Sequence, residues 1–190
     1  MMSRYVVSAG LGALGLVVGT SSALAQDTLP LERQATFQGS APAACLLSTP
    51  AATMASNAVV GGLAPGSAEI SISELVGDDG LSLGATIVLV LPALCNQAHV
   101  LDLTSLRGGM QSDGPAVTAG PFRSSLPYQV QVAWAGVTQS YQTDGDALTI
   151  PINDAVSGDI TFTIQIPSGG APLAAGAYSD GLVLELGVAG

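Results

Sequence analysis

Lysine is absent from this chain of 190 residues, and four arginines, Arg4, Arg33, Arg107 and Arg123, stand against fourteen acidic residues. Nucleic acid and anionic lipid are disfavoured as partners, because both are gripped by clustered cations. The acidity reads as the solubilising surface of a secreted protein rather than as a dedicated cation site. There is one histidine, His99, which leaves too few nitrogen ligands for a histidine-based metal centre. No nucleophile elbow or other local signature accompanies it, so a Ser-His-Asp arrangement is unsupported and His99 reads as an ordinary strand residue. Aromatic residues make up only 4% of the chain, and few acids adjoin them, which counts against a carboxylate pair working on a sugar. Asp78-Asp79 and Asp144-Gly145-Asp146 lack the spaced acidic loop of a calcium site and are what tight turns select. The expectation is therefore a protein that is not an enzyme, with no cofactor and no catalytic or metal-binding residues.

Long hydrophobic runs are also scarce. The longest early one, residues 5–18, follows the lone basic residue Arg4 and precedes Ala23-Leu24-Ala25 and the polar pair Gln26-Asp27. That order of basic, apolar and small-residue segments is the pattern of a secretory signal peptide removed after Ala25. The apolar stretch is too short to span a bilayer comfortably, so no membrane insertion is expected. Residues 1–25 thus read as a signal peptide, 26–44 as an N-terminal arm and 45–190 as one domain, long enough to bury a real core.

Cys45 and Cys95 are the two cysteines, and both lie in the exported part. In an oxidising compartment two thiols in one domain usually bridge; a metal pair or a redox couple lacks the close spacing that either needs.

Helical periodicity is rare, whereas period-two alternation recurs. Tyr128, Val130, Val132 and Trp134 share one face, with Gln129 and Gln131 on the other; Ile160, Phe162, Ile164 and Ile166 alternate with Thr161, Thr163 and Gln165. Leu182, Leu184, Leu186 and Val188 repeat the pattern, and Leu148, Ile150 and Ile152 do so over a shorter span. These segments read as strands with one buried face, which makes core packing the natural role of Trp134. Residues 69–76, 83–91 and 99–104 read as further strands; the run 85–91 is apolar throughout, as where a strand is buried on both sides or packs across a gap between sheets. Turn signals such as Gly77-Asp78-Asp79-Gly80, Gly108-Gly109 and Asp144-Gly145-Asp146 separate the strands, and the spacing argues for an all-β sandwich. Residues 41–65, rich in Ala, Ser, Pro and Gly, read as a loop or weak strand held by the disulfide.

In the arm, Leu29, Leu31, Arg33, Ala35, Phe37 and Gly39 share one face, and the alternate positions are polar apart from Pro30. Such a strand can complete its own domain's sheet or add to an open sheet edge elsewhere.

The run Leu173-Ala174-Ala175-Gly176-Ala177-Tyr178-Ser179-Asp180 leading into the aliphatics of 182–188 resembles the last strand of the spore coat protein U-like secreted pilins, the archaic chaperone–usher pilus subunits. Cys45, Cys95-Asn96, Gly108-Gly109, Pro127-Tyr128-Gln129-Val130 and Ile164-Gln165-Ile166-Pro167 follow that family's order over most of 26–190. Two departures are Gly181, where the family commonly has a β-branched residue, and an end without a terminal aromatic. The resemblance implies an immunoglobulin-like sandwich that lacks its final strand and is completed by a donor strand. Leu29, Leu31, Ala35 and Phe37 would be the donor side chains, and Leu182, Leu184 and Leu186 would line the acceptor groove. Arg33 interrupts the donor face and would have to snorkel to the groove edge. The implied partners are other pilus subunits, a periplasmic chaperone and an outer-membrane usher; the implied location is the cell surface, reached through the periplasm. The competing reading is a self-contained secreted β-sandwich that binds a surface carbohydrate or protein.

Overall fold

The computed structural model describes residues 38–114 and 120–188. The donor residues Leu29, Leu31, Ala35 and Phe37, and the signal-peptide reading, lie outside them. The compact unit Ser40–Gly190 is built, over its described residues, from strands and turns. In chain order these are β1 (Cys45–Leu47), β2 (Ala51–Ser56), β3 (Ala58–Ala64), β4 (Ser67–Ile72), β5 (Ser82–Cys95), β6 (His99–Ser105), β7 (Met110–Ser112), β8 (Ser125–Leu126), β9 (Gln129–Trp134), β10 (Val137–Gln142), β11 (Leu148–Ile152), β12 (Val156–Gly169), β13 (Tyr178–Ser179) and β14 (Leu182–Val188).

The larger sheet has the order β1-β5-β12-β9-β10, with β2 also paired to β5; the smaller has the order β11-β6-β14. A β3-β4 hairpin and a short β13-β7-β8 sheet complete the set. The ladders are antiparallel, and the longest joins β5 to β12 with Ile87 opposite Ile164, Leu89 opposite Phe162 and Leu91 opposite Ile160. These side chains, with Val130, Val132 and Trp134 of β9, pack against Leu101 and Leu103 of β6 and Ile150 and Ile152 of β11 in one buried cluster. The fold is thus an all-β sandwich, as the alternating faces require. Each fully buried aliphatic contributes about 1.5–3 kcal/mol of transfer free energy.

Cys45 and Cys95 sit directly opposite each other in the β1-β5 ladder, with Cα atoms 4.2 Å apart, and are joined by a disulfide. Of the two explanations for the apolar run 85–91, packing across the gap between sheets holds: Ile87, Leu89 and Leu91 point into the core, while Val88 and Val90 are half-exposed on the outer face.

Three segments differ from the sequence reading. Residues 41–65, expected as a loop or one weak strand, carry all of β1, β2 and β3. Every residue of β2 is exposed, so no apolar alternation marks it; the backbone ladder to β5, from Ala51–Val90 to Ser56–Thr86, holds it in place. The strand expected over 69–76 ends at Ile72, because the Asn57 side chain takes over the backbone: its Nδ2 donates to the carbonyls of Glu74 and Gly84, and its Oδ1 accepts from Glu74 N–H. The third is β10, joined to β9 by Ala135-Gly136 with φ of 52° and 77°, the doubly left-handed geometry of a tight hairpin.

Candidate functional site: an open sheet edge beside an apolar groove

Strand β14 closes one margin of the smaller sheet, paired to β6 with Leu184 opposite Leu103 and Leu186 opposite Leu101. Just before it, the Leu106 N–H donates to the Gly181 carbonyl at 2.8 Å. Antiparallel pairs alternate between bonded and non-bonded, so Val183, Glu185 and Gly187 bond to β6. The N–H and C=O groups of Leu182, Leu184 and Leu186 therefore face away from the sheet. Among the described residues no strand pairs with that edge. The other margin differs, since Pro151 of β11 stands opposite Val100 in a non-bonded position. Lacking an N–H, Pro151 interrupts the row of donors there and blunts the edge.

Beside the open edge runs a groove of about 530 Å³. Ile87, Leu89 and Leu91 of β5 with Phe162, Ile164 and Ile166 of β12 form its floor; Leu182 and Leu184 line one wall, and Ala68, Ile70 and Ile72 of β4 line the other. Leu186, expected with them, lies on the same face of β14 but beyond the groove lining. Coverage changes abruptly at β14: Leu101 and Leu103 are 0% and 1% exposed, whereas Leu182, Leu184 and Leu186 opposite and beside them are only half-buried. The two charged residues in the lining are Glu69 and Asp180, and it contains no cation.

Asp180, which the sequence reading left as part of a motif without a role, organises one end of the groove. Its Oδ2 accepts from Ser105 Oγ at 2.7 Å and from Tyr128 Oη at 2.8 Å, and its Oδ1 accepts from the Arg107 backbone N–H at 3.0 Å. Ser105 Oγ in turn accepts from the N–H groups of Gly108 and Gly109. Gly109 must be glycine here: its φ is +111°, and a Cβ would lie 2.7 Å from Pro127 Cα. The Tyr178 hydroxyl reaches the carbonyls of Arg123 and Ala174. Tyr178 and Asp180 thus anchor the entry to β14 to the β6–β7 turn and to the loop before β8.

Burial, then the hydrogen bond to and the charge of Asp180, pushes the Tyr128 phenol far above its ordinary value of 10.0. In the unfolded chain Tyr128 ionises as pH passes 10; in the folded chain it stays protonated. The unfolded state then holds fewer protons, and stability falls as pH rises through that window. Thermal unfolding followed by circular dichroism from pH 9 to 11.5 is expected to show a declining midpoint, with the decline flattened in Tyr128→Phe; equal slopes in both proteins would refute the assignment.

No protein-family model, curated protein or solved structure matches this chain. The functional reading rests on the sequence and on this geometry.

His99 is fully buried, and both ring nitrogens are engaged. Trp134 Nε1 donates to Nε2 at 2.9 Å, and Nδ1 lies 2.9 Å from the Gln97 carbonyl. With Nε2 accepting and a carbonyl at Nδ1, the ring is the neutral Nδ1–H tautomer. It ties β6 of the smaller sheet to β9 of the larger and has no face toward the groove. Among the described residues, no cluster of three or more His, Cys, Asp or Glu side chains is placed to hold a metal ion. What the arrangement offers chemically is a row of backbone donors and acceptors on β14 that no described residue pairs, with apolar side chains beside it. Such a surface is complementary in chemistry to an extended peptide strand.

Proposed function

We propose that this chain is a secreted, non-enzymatic structural subunit of a surface pilus or fimbria, polymerising by donor-strand exchange in adhesion or biofilm formation. The observation that carries this reading is the edge of β14, which no described strand pairs, with the apolar groove alongside. A strand added there would gain a ladder of hydrogen bonds and bury its alternate side chains. The arm at 26–39 supplies such a strand, with Leu29, Leu31, Ala35 and Phe37 on one face. Donated to the next copy, it would repeat a head-to-tail contact and build an open filament rather than a closed ring. An exposed edge over an apolar groove is prone to aggregation. A periplasmic chaperone lending a temporary strand, and an outer-membrane usher exchanging it for the next arm, follow from the resemblance to spore coat protein U-like pilins.

The test is a gel of the surface fraction of producing cells, probed for this protein, with unheated and boiled samples side by side. A ladder of multiples that collapses on boiling, and that is missing from a chain lacking residues 27–39, is the expected result. A monomer in every lane, with the shortened chain merely less stable, would mean that the arm folds back on its own domain. The protein would then be a self-contained sandwich binding a surface carbohydrate or protein.

A further inference from the structure

We infer that the outer edge of β10 pairs with the same edge of a second copy, antiparallel about a two-fold axis at Ser140, so that the larger sheets of two copies run on as one. This contact lies apart from the arm and the groove and does not rest on the donor-strand reading. It follows first from the phase of the β9-β10 ladder. The Thr143 N–H donates to the Tyr128 carbonyl at 3.0 Å, and antiparallel pairs alternate between bonded and non-bonded, so Val137, Gln139 and Tyr141 bond to β9. The N–H and C=O groups of Thr138, Ser140 and Gln142 therefore point away from the sheet, of which β10 is the last strand. The Gln142 carbonyl accepts from the Gly145 N–H; the other groups have no partner among the described residues.

Edges of this kind are normally defended by proline, charge or a bulge. Strand β11 carries Pro151, and the ladder of β2 to β5 is broken by a register shift between Ala52 and Met54. Strand β10 has neither proline nor a charged residue, and its ladder runs unbroken from Val137–Trp134 to Gln142–Gln129. Charge decides what can close on it. The chain has a formal net charge of −10, so two copies repel over much of their surface. Thr138, Ser140 and Gln142 are exposed and stand opposite Ala133, Gln131 and Gln129, with no charged side chain among them. A second copy can therefore meet this margin without setting acid against acid. Direction follows from the acids just past the strand: a parallel pairing would place Asp144 and Asp146 beside their own counterparts, whereas the antiparallel one brings Asp144 opposite Gly136 of the second copy. Centring on Ser140 pairs Ser140 with itself and Thr138 with Gln142, which engages all three outward residues; a slip in either direction leaves one of them unmatched. No residue of β10 lines the apolar groove, so this edge offers an incoming arm no apolar floor. The contact is isologous and closes on itself, joining copies in pairs.

The test is Ser140→Cys in the full chain, with the Cys45–Cys95 bridge left in place, run boiled but unreduced on a gel from producing cells; protease resistance checks that each variant is folded. The Cα atoms of a bonded antiparallel pair lie about 5.5 Å apart, a span that a disulfide can bridge. A covalent dimer that survives boiling and is released by reduction is the expected result. Thr138→Cys is the control: its two copies would lie roughly 14 Å apart along the strands, beyond the reach of a disulfide, and at least about tenfold less dimer is expected. Co-expressed Thr138→Cys and Gln142→Cys chains, which face each other, should cross-link again. Ser140→Cys chains that stay monomeric, a Thr138→Cys dimer as abundant as that of Ser140→Cys, or a co-expressed pair that fails to cross-link would overturn the pairing. The heat-sensitive ladder reports on donor-strand exchange and this reduction-sensitive dimer on the β10 edge, so either can fail without the other.

Discussion

Replacing Phe37 with aspartate is expected to abolish the heat-sensitive ladder while leaving the folded monomer intact. Phe37 is the largest side chain on the apolar face of the arm, and the groove that would receive it has a floor of Ile, Leu and Phe. Losing a buried phenylalanine removes about 1.5–3 kcal/mol. A carboxylate held over that floor without a partner adds at least a comparable penalty, or forces the arm out of the groove. Together these come to about 3–6 kcal/mol, roughly a hundredfold to ten-thousandfold in the equilibrium between joined and separate copies. The monomer should be indifferent, since in this reading the arm contributes nothing to its own sandwich. Urea unfolding of the monomeric fraction distinguishes the alternatives. An unchanged midpoint with no ladder fits donation to a neighbour; a lowered midpoint would mean that Phe37 packs in its own domain.

The second large effect is expected from removing the disulfide. The bridge closes a loop with a sequence separation of 50, for which the chain-entropy treatment gives about 4 kcal/mol of stabilisation. A domain of this kind has roughly 5–15 kcal/mol in total, and among the described residues the edge of β14 has no partner strand. The local structure sharpens the expectation, because β1 is only three residues long and is held to β5 by its short ladder and the bridge within it. The Cys45→Ala/Cys95→Ala double variant should unfold at a urea midpoint lower by more than 1 M, given a slope of about 1–3 kcal/mol per molar. It should also accumulate less outside the cytoplasm. A midpoint within error of the parent's would show that β1 is held by pairing alone.

How much of this could be read from the sequence depended on whether a strand had a core to face. Strands β9, β12 and β14 alternate because one side of each packs inward, and their residues were assignable at sight. The pairing of Cys45 with Cys95 followed from composition and an expected oxidising compartment. Strands β2 and β10 left little trace: β2 is exposed along its whole length, and in β10 only Tyr141 is buried. Backbone pairing needs no particular side chains, so hydropathy does not mark it. Leu182 and Leu184, expected in the floor of an acceptor groove, line one wall of the apolar groove, and Leu186, expected with them, lies beyond its lining. Its far wall, from β4, was hidden because the expected strand at 69–76 was misplaced toward the C-terminus. The role of Asp180 required three partners that are distant in the chain, Ser105, Arg107 and Tyr128, to converge. No local signal encodes that convergence, and the same holds for the bond between Trp134 and His99.

Pro151 gives the smaller sheet a handed asymmetry with a consequence for assembly. One margin is blunted and, among the described residues, the other is left without a partner strand; under the proposed donor-strand exchange, a copy of this chain would have one seat to fill and, in the arm, one plug to offer. Objects with a single plug and a single seat join in single file. They cannot branch, and every chain they form has two unlike ends, one with a vacant seat and one with an unused plug. Growth, arrest and attachment would then be controlled at those ends, by whatever occupies the last vacant seat.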